Sequence, residues 1–175
     1  MTNKNLSNYI LKLTEADQGL RKLRFKDIEM IKGLPNYLVY AVDGVHNYKI
    51  KCIIEQYDYP TQKLIGKRAM HAFWLLVQHQ DFDLKLQKAC LENCNFEPKE
   101  KALLADRILV NSDNKQIYGT QFYRNEKGQL IPRPIKDKKN LDKRRKSAGL
   151  EPFAEYLKKM KKVAKETLTL RLHSK

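Results

Sequence analysis

Nine consecutive residues constrain this chain more than any other feature. His71-Ala72-Phe73-Trp74-Leu75-Leu76-Val77-Gln78-His79 is apolar nearly all round a helix, and such a helix must be covered on every side. Residues 66–80 are therefore read as a central buried helix. The flanking segments carry three-four spacing that fits helices packed around it. Leu6, Ile10, Leu13, Asp17 and Leu20 mark a helix over 4–32. Thr14 with Asp17 offers a second helix start there as a capping box, and Gly33 and Pro35 end the segment. Residues 36–45, with Asp43-Gly44, read as a connector. His46, Ile50, Ile53 and Tyr57 mark a helix over 46–58 that Pro60 stops. Leu84–Cys94 and Glu97–Val110 follow as helices, the latter with Pro98 in its first turn. Residues 140–148 and 152–165 are the last, parted by Gly149 and Pro152.

The texture changes once. Gln116–Tyr123 is β-prone, Asn125-Glu126-Lys127-Gly128 is a turn, and Gln129-Leu130-Ile131 precedes Pro132. The expected fold class is mainly α: a single compact helical domain over 1–165 with one short β-hairpin near residues 116–131, and a frayed basic end at 166–175. A length of 175 residues suits one domain. The longest apolar run is too short for a membrane span, and the N-terminus lacks a signal-peptide core. Three cysteines make no disulfide framework. Cys90 and Cys94 share a helix face with no second pair to complete a metal site. These points predict a cytoplasmic protein with no membrane span.

The net charge is +15. Residues 136–175 carry 14 Lys/Arg and 5 Asp/Glu, a net of +9; residues 1–135 carry 21 and 15, a net of +6. A tail of this kind attracts phosphate-rich partners, nucleic acid among them. A solvated helix face explains the same lysines without any partner.

Four ionisable residues stand on core-facing stripes, where burial costs several kcal/mol unless a partner is found. Asp17 sits among Ile10, Leu13 and Leu20. His46 heads the stripe Ile50, Ile53, Tyr57. His79 shares a face with Ala72, Leu75 and Leu76, and Asp106 with Ala102 and Leu109. Each has a structural explanation as a cap, an exposed end or a backbone partner. Together they suggest one polar centre, with His79 as a general base oriented by Asp106. Arg21, one turn from Asp17, and Arg107 would hold an anion. Gln78 adds an amide, and Tyr118, Thr120 and Gln121 add polar groups on a hairpin covering the cleft; Gly119 there permits close backbone approach.

His71 and His79 lie eight apart, about 80° round a helix, so the i, i+4 metal spacing is absent. His79-Gln80-Asp81 is not the adjacent His-Asp pair of metal phosphohydrolases. No metal and no cofactor are expected, and no nucleotide-loop or nucleophile-elbow motif occurs. Two functions compete. One is a small metal-independent enzyme, hydrolase-like, using His79, Asp106, His46 and Asp17 on an anionic small molecule. The other is a binding or regulatory module contacting nucleic acid or an acidic partner through residues 136–175.

Ala72-x-Trp74-Leu75-Leu76-Val77-Gln78-His79, Ala105-Asp106-Arg107-Ile108-Leu109-Val110, Gln116-Ile117-Tyr118-Gly119-Thr120-Gln121 and Asp142-x-Arg144-Arg145-x-x-x-Gly149-Leu150 carry a further signal. In this order they resemble an uncharacterised bacterial family known only as a domain of unknown function. Asp17-Gln18-x-x-Arg21, His46-Asn47 and Tyr59-Pro60 belong to the same resemblance, which covers about residues 14–160. The family shows Gly-Trp-Pro where this chain has Asp58-Tyr59-Pro60, and it varies at His71, which removes weight from that histidine. The resemblance implies no reaction. It does set the family's signature on the four polar residues and on the Tyr-Gly-Thr-Gln hairpin.

Overall fold

A computed structural model describes residues 2–22 and 34–172, with the backbone alone at 34–36 and 167–172. Helix dominates, as the spacing predicts: among the described residues there are seven α-helices and one two-stranded antiparallel sheet. The contacts divide the chain into two units, Met1–Phe96 and Glu97–Lys175.

The first unit holds α1 (Lys4–Lys22), α2 (Leu34–Tyr57), α3 (Gln62–Gln78) and α4 (Leu84–Asn93). α3 is the central helix. Ala72, Phe73, Trp74, Leu76 and Val77 are all buried. Thr61 caps its N-terminus through Leu64 N–H, and the helix breaks at Gly66, where φ is +77°. The stretch expected from residue 66 onward is thus the part beyond the break. α1 buries Leu6, Ile10, Thr14 and Asp17. It is tied to α3 by Ser7 Oγ donating to Ile65 O at 2.7 Å and Thr14 Oγ1 donating to Ala72 O at 3.1 Å. Thr14 also donates to Ile10 O, one turn back, so it lies mid-helix and starts nothing. The expected continuation of this helix over 23–32, and its stop at Gly33, lie outside the described residues.

α2 corrects the reading of 36–45 as a connector. The helix begins at Leu34, with Pro35 in its first turn, where the missing N–H costs no hydrogen bond, and it runs unbroken through Asp43-Gly44. The cause is an inverted pattern. Tyr37, Tyr40, Val45 and Tyr48 are exposed, whereas Asp43, His46 and Asn47 on the other face are buried. Apolar residues outside and polar ones inside cancel the amphipathic signal. Gly44 faces open space, so its cost is only that of a helical glycine, about 1 kcal/mol.

The second unit holds α5 (Pro98–Asn111), β1 (Phe122–Arg124), β2 (Leu130–Pro132), a 3-10 turn at Lys138–Asn140, α6 (Leu141–Ser147) and α7 (Phe153–Leu172). Glu97 and Glu100 form a capping box at the start of α5. The hairpin pairs Phe122 with Pro132 and Arg124 with Leu130. Its strands are shorter than the β-prone run, because Gln116 bridges in parallel to Ile135 instead. The α7 backbone is helical through Leu172, and residues 173–175 lie outside the described residues. No helix among the described residues is long and apolar enough to cross a membrane.

Candidate functional site

Helices α1, α2 and α3 bring four of the expected residues together. Asp17, 1% exposed in its side chain, is the centre. Gln18 Nε2 donates to it at 2.7 Å and Arg21 Nε at 3.0 Å. His79 Nδ1 stands 3.1 Å from its Oδ2, and His46 Nδ1 lies 3.9 Å from its Oδ1. Arg21 also joins Asp43 through Nη2. The guanidinium thus bridges two carboxylates, with 27% of its side chain reaching solvent. Each residue follows from its helix. Asp17 and Arg21 are i, i+4 on α1, and Asp43 and His46 are i, i+3 on the buried face of α2. His79 is the C-cap of α3, bonded by its N–H to Leu76 O.

The end of α3 is held in place. Gln80 Nε2 donates to Leu76 O at 3.0 Å, and Gln87 Nε2 to Val77 O and Gln78 O, both at 3.2 Å. Carbonyls left open at a helix end are met by two buried amides, which fixes the His79 backbone. Half-buried Gln78 adds its carbonyl to this capping. A second polar node follows on α2: Asn47 Nδ2 donates to Asp83 Oδ2 at 3.2 Å, and Lys51 Nζ lies 2.7 Å from the same oxygen.

Burial works to raise the Asp17 pKa. The His79 contact, the Gln18 amide and the Arg21 charge overcome it and hold the group down at about 2. Burial lowers the pKa of His46, and Asp17 and Asp43 only partly oppose this. Both depressed groups bind protons more tightly when unfolded. Each therefore contributes stability above its unfolded pKa that is lost as pH falls through its folded pKa. Denaturant unfolding from pH 7 downward should show stability declining first below about 6.5, as His46 must charge. A further loss of about 2 kcal/mol should come between about pH 4 and pH 2, from Asp17. His46→Gln should flatten the first phase and Asp17→Asn the second. Stability that stays level from pH 7 to pH 2 would overturn the assignment.

Asp106, expected to orient His79, is committed elsewhere. It is fully buried. It accepts from Ile117 N at 2.7 Å, Tyr118 N at 2.9 Å, Thr120 N at 2.9 Å and Thr120 Oγ1 at 3.0 Å. The carboxylate knots the loop before the hairpin, and the group that orients His79 is Asp17. Arg107, next to it on α5, is half-buried.

The Tyr118–Gln121 loop is part of the same knot. Gln116 is buried; its Nε2 donates to Gln121 O and Arg133 O, and its Oε1 accepts from Gln121 N. Arg145 is fully buried, donating to Tyr118 O at 2.6 Å and Glu151 O at 2.7 Å, with its guanidinium 4.8 Å from the Tyr156 ring centre. The Tyr118 ring packs on Ala102, Ala148 and Leu150. A Cβ at Gly119 would meet Phe153 at 2.8 Å, and φ there is +71°. The glycine serves close packing inside the unit. Tyr118, Thr120 and Gln121, expected to touch substrate, are engaged in building this loop.

Asp43 was hidden in the supposed connector. Its place three residues before His46 and seven before Ile50 was the available signal.

Residues 4–167 match a family of unknown function (DUF6624), and the chain belongs to that family. No curated protein and no solved structure matches.

Proposed function

We propose that this member of the family is a small hydrolase-like enzyme whose acid–base pair is Asp17 and His79. The carrying observation is the contact of His79 Nδ1 with a buried, low-pKa carboxylate, 3.1 Å away. Holding one ring nitrogen leaves the other for proton transfer, and 14% of the His79 side chain reaches solvent. An aspartate that fixes the tautomer and balances the imidazolium is how a histidine base is prepared. Asp17 and Asp43 together carry two negative charges against the single charge of Arg21. That balance favours a neutral or cationic polar group over the anion that Arg21 alone suggests. A cytosolic setting fits three free thiols, two of them buried. The test is a screen of the purified chain against neutral and cationic activated esters and amides, with phosphate esters as the disfavoured anionic class. Turnover that needs both Asp17 and His79 supports the proposal; turnover untouched by His79→Gln overturns it.

A second reading rests on the other unit. Lys158, Lys159, Lys161, Lys162 and Lys165 are exposed along α7. Lys161 and Lys165 line a groove with Arg124, Gln129 and Ile131, of about 550 Å³. Counterion release would make such a face bind polyanions in a salt-dependent way. Heparin retention should fall steeply between low and moderate salt, and charge reversal at Lys158, Lys161 and Lys165 should shorten it. Retention unchanged in that triple variant counts against the reading.

A further inference from the structure

We propose that Asp17, Asp43 and His79, with His46 as a further donor, form a binding site for a divalent transition-metal cation, and that Arg21, paired with both carboxylates, competes with it. One donor atom from each of Asp17, Asp43 and His79 lies within 4.8 Å of the other two. Donors around one cation at about 2.0–2.2 Å stand at most roughly 4–4.5 Å apart, so small side-chain movements complete the set. The second observation is independent of the carboxylates. His46 is 3% exposed, and its Nδ1 is buried without a hydrogen-bond partner. It lies 3.9 Å from Asp17 Oδ1, too far for a hydrogen bond and a normal spacing for two donors on one cation. A buried imidazole nitrogen left open at the edge of a carboxylate pair is costly unless something visits it.

The donor set selects the cation. Two carboxylates with two imidazoles suit zinc, manganese, iron or cobalt, whereas magnesium and calcium favour oxygen donors throughout. Charge agrees: two aspartates exceed one arginine. Arg21 bridges Asp17 and Asp43 as a cation would, and its partial exposure gives it a way out to solvent. Metal and guanidinium would then compete for the same oxygens. The i, i+4 rule that argues against a metal applies to ligands from one helix; these come from three. A bound cation takes Asp17 and His79 out of proton transfer. The inference shares its cluster with the proposed reaction but is read without substrate, so either can fail alone.

The experiment is a cobalt(II) titration of the full chain at neutral pH, followed by visible absorption and repeated with zinc competition. One saturable equivalent is expected. Asp43→Asn and His46→Gln should each weaken it about tenfold or more, with the fold checked by circular dichroism. Arg21→Gln should strengthen it by a similar factor, an effect that a purely structural arginine does not produce. Absence of saturable binding overturns the proposal. So does affinity unchanged in Asp43→Asn, or unimproved in Arg21→Gln. A thiolate charge-transfer band would place the metal at Cys90 and Cys94 and overturn it equally.

Discussion

Asp106→Ala is expected to destabilise the chain by about 3–5 kcal/mol, more than any change in the Asp17 cluster. One fully buried carboxylate receives three backbone N–H groups and a hydroxyl. Truncation orphans all four donors, each costing about 1–3 kcal/mol when it stays buried; partial opening of the loop to water sets the total below their sum. Asp106→Asn should lie between, since one amide oxygen can still accept while the new N–H₂ faces other donors. Thr120→Val removes one donor and should cost about 1 kcal/mol. Denaturant melts of the three variants check the order. A loss below about 1 kcal/mol for Asp106→Ala would show that the loop holds without its carboxylate. The acid titration assigned to Asp17 should survive in Asp106→Asn, because that carboxylate has its own partners.

The second large effect is on turnover. Asp17→Asn should reduce the rate on whatever substrate the screen finds by about 10²–10⁴-fold, the usual range for a positioned acid–base group. The asparagine keeps the shape and loses the charge. Its amide can present N–H to the ring nitrogen that now meets an acceptor, turning the tautomer the wrong way. His79→Gln should cost as much, and the double variant little more, because the two act as one unit. Arg21 bonds both carboxylates, so Arg21→Lys should cost less than either. Rates in the double variant that equal the product of the two single losses would mean that Asp17 and His79 act separately.

The polar residues that stand out in the sequence divide between two jobs. Asp17-Gln18-x-x-Arg21, His46 and His79 meet around one carboxylate. Asp106, Gln116, the Tyr118–Gln121 loop and Arg145 build another buried network, whose donors and acceptors are largely backbone. In the first group Arg21 and His79 reach solvent in part; the second group positions a loop.

Local pattern determined the helical class, the buried central helix and the place of the hairpin turn: three-four spacing marked the helices, the apolar run around Phe73, Leu76 and Val77 the central one, and Asn125-Glu126-Lys127-Gly128 the turn. The same logic marked Asp17, His46, His79 and Asp106 as polar groups in need of partners. It failed at α2, where exposed tyrosines and buried Asp43 reverse the usual faces. Which partner each polar group takes was decided only by the tertiary structure. Asp17 and His79 are 62 residues apart, and a hydrogen bond over that separation leaves no trace in local spacing. Asp106 finds the amides of a loop 11 to 14 residues on, and a backbone N–H carries no sequence signature at all. A stripe of side chains shows that a polar group will be buried, and only the packing of helices shows what it will meet.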